Sequence, residues 1–412
     1  IKCISCTLSR KAAYRQHRGA HSIHKSRDFT MNQKAIGRRQ FSVGLGAAAL
    51  GGFNLAQAQG EGRIVLGQSA PFTGPSAQLG IQFNLGAKLF FDRLNAQGGV
   101  GRRTVEIRTM DDGYEPDRCA ENTRKLIADD VFALFGYIGT PTSLAALPIF
   151  TQAKVPFFGP FTGAEALRQP FNRLIFHVRA SYYDETALIV RQLTNLGLKK
   201  IAVFYQNDAY GKAGLDGVTK ALADLKLAPV ATATVERNTT DVKAAVDKLV
   251  PAMPDAVVQI SSYGASAAFV RAARKAGFGG TFYNVSFVGT QALADELGKD
   301  GAGVVVSQVV PSPYQPSRQI TREFLEAIKK GGDKVQANYS SLEGYLAARV
   351  FTEGLRPALA GGKLSHDSFI AGMESLGSQV ISGFPVSFSS SDHTASSFVE
   401  MSMLTGDGRV RT

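Results

Sequence analysis

From residue 63 onward the chain alternates short runs of β-branched or aromatic residues with longer amphipathic stretches, and this rhythm restricts the fold more than any other feature. Strand patterns fall at 64–68, 105–109, 131–135, 157–159, 201–205, 256–260, 281–285 and 304–310. Helical patterns lie between them at 86–94, 116–127, 143–152, 186–196, 211–225, 242–249 and 265–276. Parallel neighbours need a crossover long enough to hold a helix, so this order predicts an α/β fold with parallel sheets covered on both faces. Two such series are visible, one up to about Phe176 and one from about Lys200. Helical patterns at 318–330, 341–359 and 366–375 then precede a β-rich tail at 386–388 and 397–404. With no Pro- or Ser-rich linker between the halves, several short crossings are expected rather than one tether.

Residues 37–60 read GRRQFSVGLGAAALGGFNLAQAQG, and Gly44–Ala49 within them fit the G-x-G-x-x-A form of a dinucleotide loop. That fingerprint needs a strand before it, a helix after it and an acidic residue about 20 positions downstream. Here Lys34 and Arg38-Arg39 precede an uncharged apolar stretch at 41–56, and Ala56-Gln57-Ala58 follows. This is the order of a secretory signal peptide, so 31–58 is expected to be a leader cleaved after Ala58. Its apolar run is shorter than the ~20 residues of a membrane-spanning helix. Arg38-Arg39-Gln40-Phe41 resembles a twin-arginine signal, although Gly37 stands where Ser or Thr is usual, and the Sec and twin-arginine routes both stay open. Residues 1–30, ahead of Met31, carry Cys3, Cys6, His17, His21 and His24 in a polar, basic context without a core pattern. They are expected to be upstream translation or disordered.

The leader also explains the charge. Of 46 Lys and Arg against 34 Asp and Glu, ten bases and one acid lie in 1–58, leaving 36 against 33, or +3. The basic character of the whole chain therefore gives no support to nucleic-acid binding. Cys119 is the one cysteine beyond the leader, so an exported form has no internal disulfide and depends on its core. The 354 residues after position 58 (412 less 58) are enough for two domains.

Ligands of open α/β sheets bind beyond the carboxyl ends of the strands. The segments there, 69–80, 136–143 and 160–164, are rich in Gly, Thr and Ser and poor in charge. Backbone N–H groups and hydroxyls at helix N-termini suit a carboxylate or another polar acceptor. Ser76, Thr142 and Thr162 read equally well as helix caps one at a time, while the three loops together point to a site. Asp111-Asp112-Gly113 lacks the spacing of a calcium loop and reads as a strand-end turn. His177, His366 and His393 lack metal-ligand spacing, and Cys119 sits in a helical pattern as a packing residue. With neither a G-x-S-x-G elbow nor a Walker A pattern beyond the leader, no catalytic residue, metal or cofactor is expected.

The stretches IVLGQSAPFTGPSAQLGIQFNLGAKLFFDRLNAQGGV, VEIRTMDDGYEPDRCAENTRKLI, FGYIGTPTSLAALPIF and VFYQNDAYGKAGLDGV resemble type I periplasmic binding proteins of the leucine/isoleucine/valine-binding family, the solute receptors of ABC importers. The resemblance runs from about 64 to 404. It implies two Rossmann-like lobes joined by three hinge crossings and closing on a solute in the interlobe cleft. Lobe 1 would comprise 61–180 and 308–378, and lobe 2 181–307 and 379–412. By position, Thr140 would receive a ligand carboxylate, with Ile138 and Gly139 in the same turn, and Phe161, Thr162 and Gly163 would form a second carboxylate loop. Leu79 falls at the cleft edge, Tyr210 matches a tyrosine that covers the ligand, and Ser262 and Tyr263 match another cleft turn. Ser286 stands where amino-acid binders place an acid for the substrate ammonium. A buried ammonium without a charged or well-bonded partner is costly, so a free α-amino acid requires Asp184 or another acid to substitute. Amides, small carboxylates, aromatic acids and short peptides stay open. Gln308, at a strand end near a crossing, is either a polar contact or a hinge residue. The resemblance further implies a periplasmic monomer that meets a small-molecule solute and an inner-membrane ABC permease, without nucleic acid or cofactor. A ligand sensor of the same fold and an exported α/β enzyme are the alternatives.

Overall fold

The computed structural model describes residues 62–412, so the expected leader and the cysteines and histidines of 1–30 lie outside the described residues. The first sheet is built from β1 (Arg63–Ala70), α1 (Ala77–Ala96), β2 (Thr104–Asp111), α2 (Pro116–Ala128), β3 (Ala133–Phe135), α3 (Thr140–Ala153), β4 (Phe157–Phe158) and β5 (Ile175–Phe176). Its strand order is β2-β1-β3-β4-β5, parallel throughout. Leu66 to Ala70 are all buried, as a strand covered on both faces requires.

A second series follows: α4 (Tyr182–Asn195), β6 (Ile201–Gln206), α5 (Ala209–Ala223), β7 (Ala231–Val235), α6 (Lys243–Leu249), β8 (Ala256–Ile260), α7 (Tyr263–Lys275), β9 (Thr281–Asn284), α8 (Thr290–Leu297) and β10 (Val305–Gln308). These strands pair in parallel in the order β7-β6-β8-β9-β10, which repeats the topology of the first sheet. The chain then forms α9 (Gln319–Lys329), α10 (Tyr339–Ala360) and α11 (His366–Glu374), and α10 lies along α1 of the first series. A hairpin, β11 (Ser378–Ile381) and β12 (Phe384–Ser387), precedes β13 (Glu400–Leu404) and β14 (Val410–Arg411). The last two strands extend the second sheet in antiparallel fashion beside β10.

The chain thus passes between the sheets at 177–181, 309–318 and 395–399. The last passage comes later than the expected boundary at 379. The segment after the hairpin stays beside the first sheet: the His393 ring stacks on Phe176 at 3.9 Å, Phe388 packs edge-on to Phe176, and the His177 N–H donates to the His393 carbonyl at 2.8 Å. A lone two-stranded ribbon is marginal in water and rests on a larger body, which this contact supplies. Among the described residues no helix is long and apolar enough to cross a membrane.

Candidate functional site

Each sheet reverses its winding between its first and third strands, so a crevice opens beyond β1 and β3 in one lobe and beyond β6 and β8 in the other. The helices entered from these strands begin at Ala77, Thr140, Ala209 and Tyr263. Gly139 turns into α3 with φ 96°, and a Cβ there would lie 2.3 Å from the Tyr114 ring, so only glycine fits. The Thr140 and Thr162 hydroxyl oxygens lie 2.6 Å apart. Their loops are tied by an Ile138–Phe161 bridge and by the Gly139 N–H donating to the Phe161 carbonyl at 3.2 Å. The Gly163 carbonyl accepts from the Tyr182 N–H at 2.8 Å, carrying this loop to the first turn of α4. The Thr142 hydroxyl turns back to the Ile138 and Gly139 carbonyls, so it braces the turn.

Between the lobes stands an aromatic cluster. The Phe287 ring lies 4.4 Å from Tyr210, 5.8 Å from Phe161 and 5.8 Å from Tyr114, and Tyr182 lies 5.5 Å from Tyr210. The Tyr210 hydroxyl is buried without a hydrogen-bond partner among the described residues, and the buried Tyr182 hydroxyl, also without a close partner there, faces the Thr162 hydroxyl. Burial pushes the Tyr182 hydroxyl up to about 12 and the Tyr210 hydroxyl well above its usual value, so both stay protonated as donors. Arg179 Nε and Nη2 donate to the two Glu343 oxygens at 2.8 and 2.9 Å, and its guanidinium carbon sits 4.2 Å from the centre of the Phe161 ring. Its remaining nitrogen, Nη1, is buried without a partner among the described residues.

Beside Ser286 the structure places an acid that the sequence reading did not single out. Glu185 accepts from the Ser286 N–H at 2.7 Å, the Ser286 hydroxyl at 3.0 Å and the Ser307 hydroxyl at 2.5 Å. Burial pushes its carboxyl upward, while Arg179 and these three donors pull the other way. Asp184 is not the substitute: its carboxylate closes the capping box of α4 with the Ser181 N–H and hydroxyl.

The structure therefore brings together Ile138, Gly139, Thr140, Phe161, Thr162, Gly163, Tyr210 and Ser286. Leu79, Ser262 and Tyr263 lie at the rim. A Cβ on Gly289 would come within 2.5 Å of Leu79, the Tyr263 hydroxyl meets the Gln78 backbone, and Ser262 is the buried residue before α7. Gln308 stands apart: its amide donates to Thr290 and Ser402 at 2.8 and 2.7 Å, tying β10 to α8 and β13 within the second lobe. Asp111 and Asp112 form the expected turn. Burial raises the Asp111 carboxyl, but bonds from Thr73, Phe72, Gly113 and Arg118 hold it down at about 2. Burial pushes Asp112 up to about 6 against bonds from Ser69 and Tyr114. Among the described residues no three His, Cys, Asp or Glu are grouped to hold a metal.

At the edge of the crevice a second set of polar contacts joins the lobes. Arg237 Nη2 and Asn238 Nδ2, after β7, donate to the two Glu115 oxygens at 2.9 and 2.7 Å, and Asn238 also reaches the Gly113 carbonyl at 3.1 Å. Ser76 donates to Asn238 Oδ1 at 3.4 Å, and Gln206 donates to the Tyr114 hydroxyl at 3.4 Å. Partly exposed contacts of this kind are worth about 1 kcal/mol together, or roughly fivefold in an equilibrium. Glu115→Ala is accordingly expected to shift the free protein toward an open form. Small-angle scattering should show a larger radius of gyration, and an unchanged radius would mean that these contacts do not hold the lobes together.

Residues 63–408 match the family described as periplasmic binding protein. The Leu/Ile/Val-binding protein homolog 7 of Brucella abortus is 27% identical over 336 residues, spanning 76% of this chain and 81% of that protein. A solved structure of a possible leucine/isoleucine/valine-binding protein from Rhodopirellula baltica is 34% identical, with a TM-score of 0.81 over 85% of this chain and 96% of that one. A substrate-binding periplasmic protein from Ralstonia solanacearum is 30% identical, with a TM-score of 0.79 over 84% and 99% of the two chains.

Proposed function

Because the chain belongs to the periplasmic binding protein family, a family of solute-binding rather than catalytic proteins, we propose that it is an extracytoplasmic receptor that captures a small solute between its lobes and delivers it to an ABC permease. The observation that carries this reading is the group of buried, unpartnered polar atoms at the facing crevices: the Tyr182 and Tyr210 hydroxyls and Arg179 Nη1, beside the Thr140–Thr162 pair. Buried polar groups in folded proteins are nearly always paired, so an unpaired set at the mouth of two sheets calls for a partner from outside. Phe287 and Tyr210 supply apolar faces and Thr140 and Thr162 supply hydroxyls, which together suit a small polar or amphipathic molecule. Amino acids, amides, short peptides and small carboxylates are the classes in range. The lobes would close on the solute because contacts to both sheets exist only in the closed form. The permease would then read the closed arrangement from the outer surfaces. A monomer exported with its leader removed after Ala58 completes the proposal.

A solute present at a hundred times its dissociation constant should stabilise the protein by about 2.7 kcal/mol, which a thermal-shift panel drawn from these four classes reads directly. Thr140→Val combined with Tyr210→Phe removes two hydroxyls at nearly constant volume. It is expected to weaken binding about a hundredfold while leaving the free protein folded. Calorimetry is the check, since the chain has no Trp for quenching. Unaltered affinity in the double variant would place the solute elsewhere.

A further inference from the structure

Between the facing sheets stands a charged donor that lacks an acceptor. Among the described residues Arg179 Nη1 carries two N–H groups without an acceptor, and the buried Tyr182 and Tyr210 hydroxyls, which can donate or accept, lack a close partner. The Thr140–Thr162 pair shares one hydrogen across its 2.6 Å contact and leaves the other hydroxyl hydrogen to donate elsewhere. The carboxylates nearest Arg179 are already hydrogen-bonded, as is Asp208, which accepts from the Gln206 amide and from the Tyr210 and Gly211 N–H groups. Glu343 has both oxygens on Arg179, and Glu185 accepts from three donors contributed by Ser286 and Ser307. A buried donor without an acceptor is destabilising, and a charged one most of all, so the fitting ligand brings acceptors. An ammonium would set a second cation beside Arg179, whose Nη1 already lacks an acceptor among the described residues.

Resting on the receptor reading above, we propose that the solute is a small monocarboxylate without an amino group. Its carboxylate meets Arg179 Nη1 and the hydroxyls of Tyr182 and Thr162, and its apolar body lies against Phe161, Phe287 and Tyr210. Arg179 is fixed for this role: two of its nitrogens are bound to Glu343 and its plane lies over Phe161, so the free edge is held without further ordering.

Matched pairs that differ in the amine test the proposal: 4-methylpentanoate against leucine, and 3-phenylpropanoate against phenylalanine, titrated calorimetrically into the purified protein, with the amides of both acids as a third arm. At least one acid is expected to bind tenfold or more tighter than its amino acid, and Tyr182→Phe should weaken that acid about tenfold. An amino acid or an amide that binds as tightly as its acid overturns the carboxylate assignment and leaves the receptor reading standing. Equal affinity in the Tyr182→Phe protein overturns the placement of the carboxylate. Binding by no member of any arm overturns the carboxylate assignment, and the receptor reading falls with it only if the wider thermal-shift panel also gives no shift.

Discussion

The Glu343→Ala protein is expected to lose about 3–5 kcal/mol of unfolding free energy, against the roughly 5–15 kcal/mol that a native protein has in total. The side chains of Arg179 and Glu343 are 1% and 5% exposed, and the guanidinium meets both carboxylate oxygens in a fork. Arginine stays charged at any pH the fold survives, so truncating Glu343 leaves a buried cation with all its nitrogens unpaired where one was before. Burial opposes the charge of Arg179, and Glu343 is the main group that holds it in the charged form, with Glu185 a lesser one. Replacing both partners, Arg179→Met with Glu343→Leu, is expected to recover most of the loss, because the isolated charge then disappears together with its counter-ion. Urea denaturation of the three proteins is the measurement. A single variant within 1 kcal/mol of the parent would mean that water or Glu185 reaches the guanidinium. The double variant also separates fold from function: it regains stability, yet lacks the Nη1 edge and is expected to bind no carboxylate.

How much of this was legible in the sequence depends on the length of the interaction. The eight strands read from apolar runs are present, because a strand buried on both faces reads as a near-continuous apolar run, as Ile-Ala-Val-Phe does at the start of Ile201–Gln206. The elements that escaped were short or compositionally plain. β5 is two residues, β7 reads Ala-Thr-Ala-Thr-Val at the sheet margin, and α8 is eight residues entered through a left-handed glycine. The loops at 136–143 and 160–164 are legible because strand ends predict where ligands bind, while the roles of single residues in them, from Ile138 to Gly163, rest on the family resemblance. Glu185 and Arg179 were not, and no local pattern marks them. Glu185 is one polar residue in an amphipathic helix, and its partners Ser286 and Ser307 are 101 and 122 positions away. Arg179 finds Glu343 across 164 positions. Such pairs are set by how the crossings bring α4, β10 and α10 together, which periodicity along one segment cannot encode.

Gly86 shows the same limit inside a helix that was recognised, and it gives the second large effect. The sequence reading began a helix at this glycine, whereas α1 starts at Ala77 and Gly86 lies in its interior. There a change to Ala should favour the helix by about 1 kcal/mol on propensity alone. A Cβ at Gly86, however, would lie 1.8 Å from the Ser341 carbonyl oxygen, and one at Gly344 would lie 2.0 Å from the Phe83 carbonyl oxygen. Both clashes are with backbone, so α1 and α10 would have to part. Gly86→Ala is expected to lose about 3 kcal/mol net, the range of an overpacked core. Gly354→Ala in the same α10 is the control, because its Cβ would first meet the sulfur of Met373, the flexible part of a side chain, 2.0 Å away; about 1 kcal/mol or less is expected there. Urea midpoints decide between them, and equal losses would show that the α1–α10 contact has no special tightness. The consequence reaches the crevice. Glu343 adjoins Gly344 on α10, so parting these helices draws the carboxylate away from Arg179. Gly86→Ala should therefore weaken solute binding as well as stability, while Gly354→Ala, one helix face away, should leave binding near that of the parent.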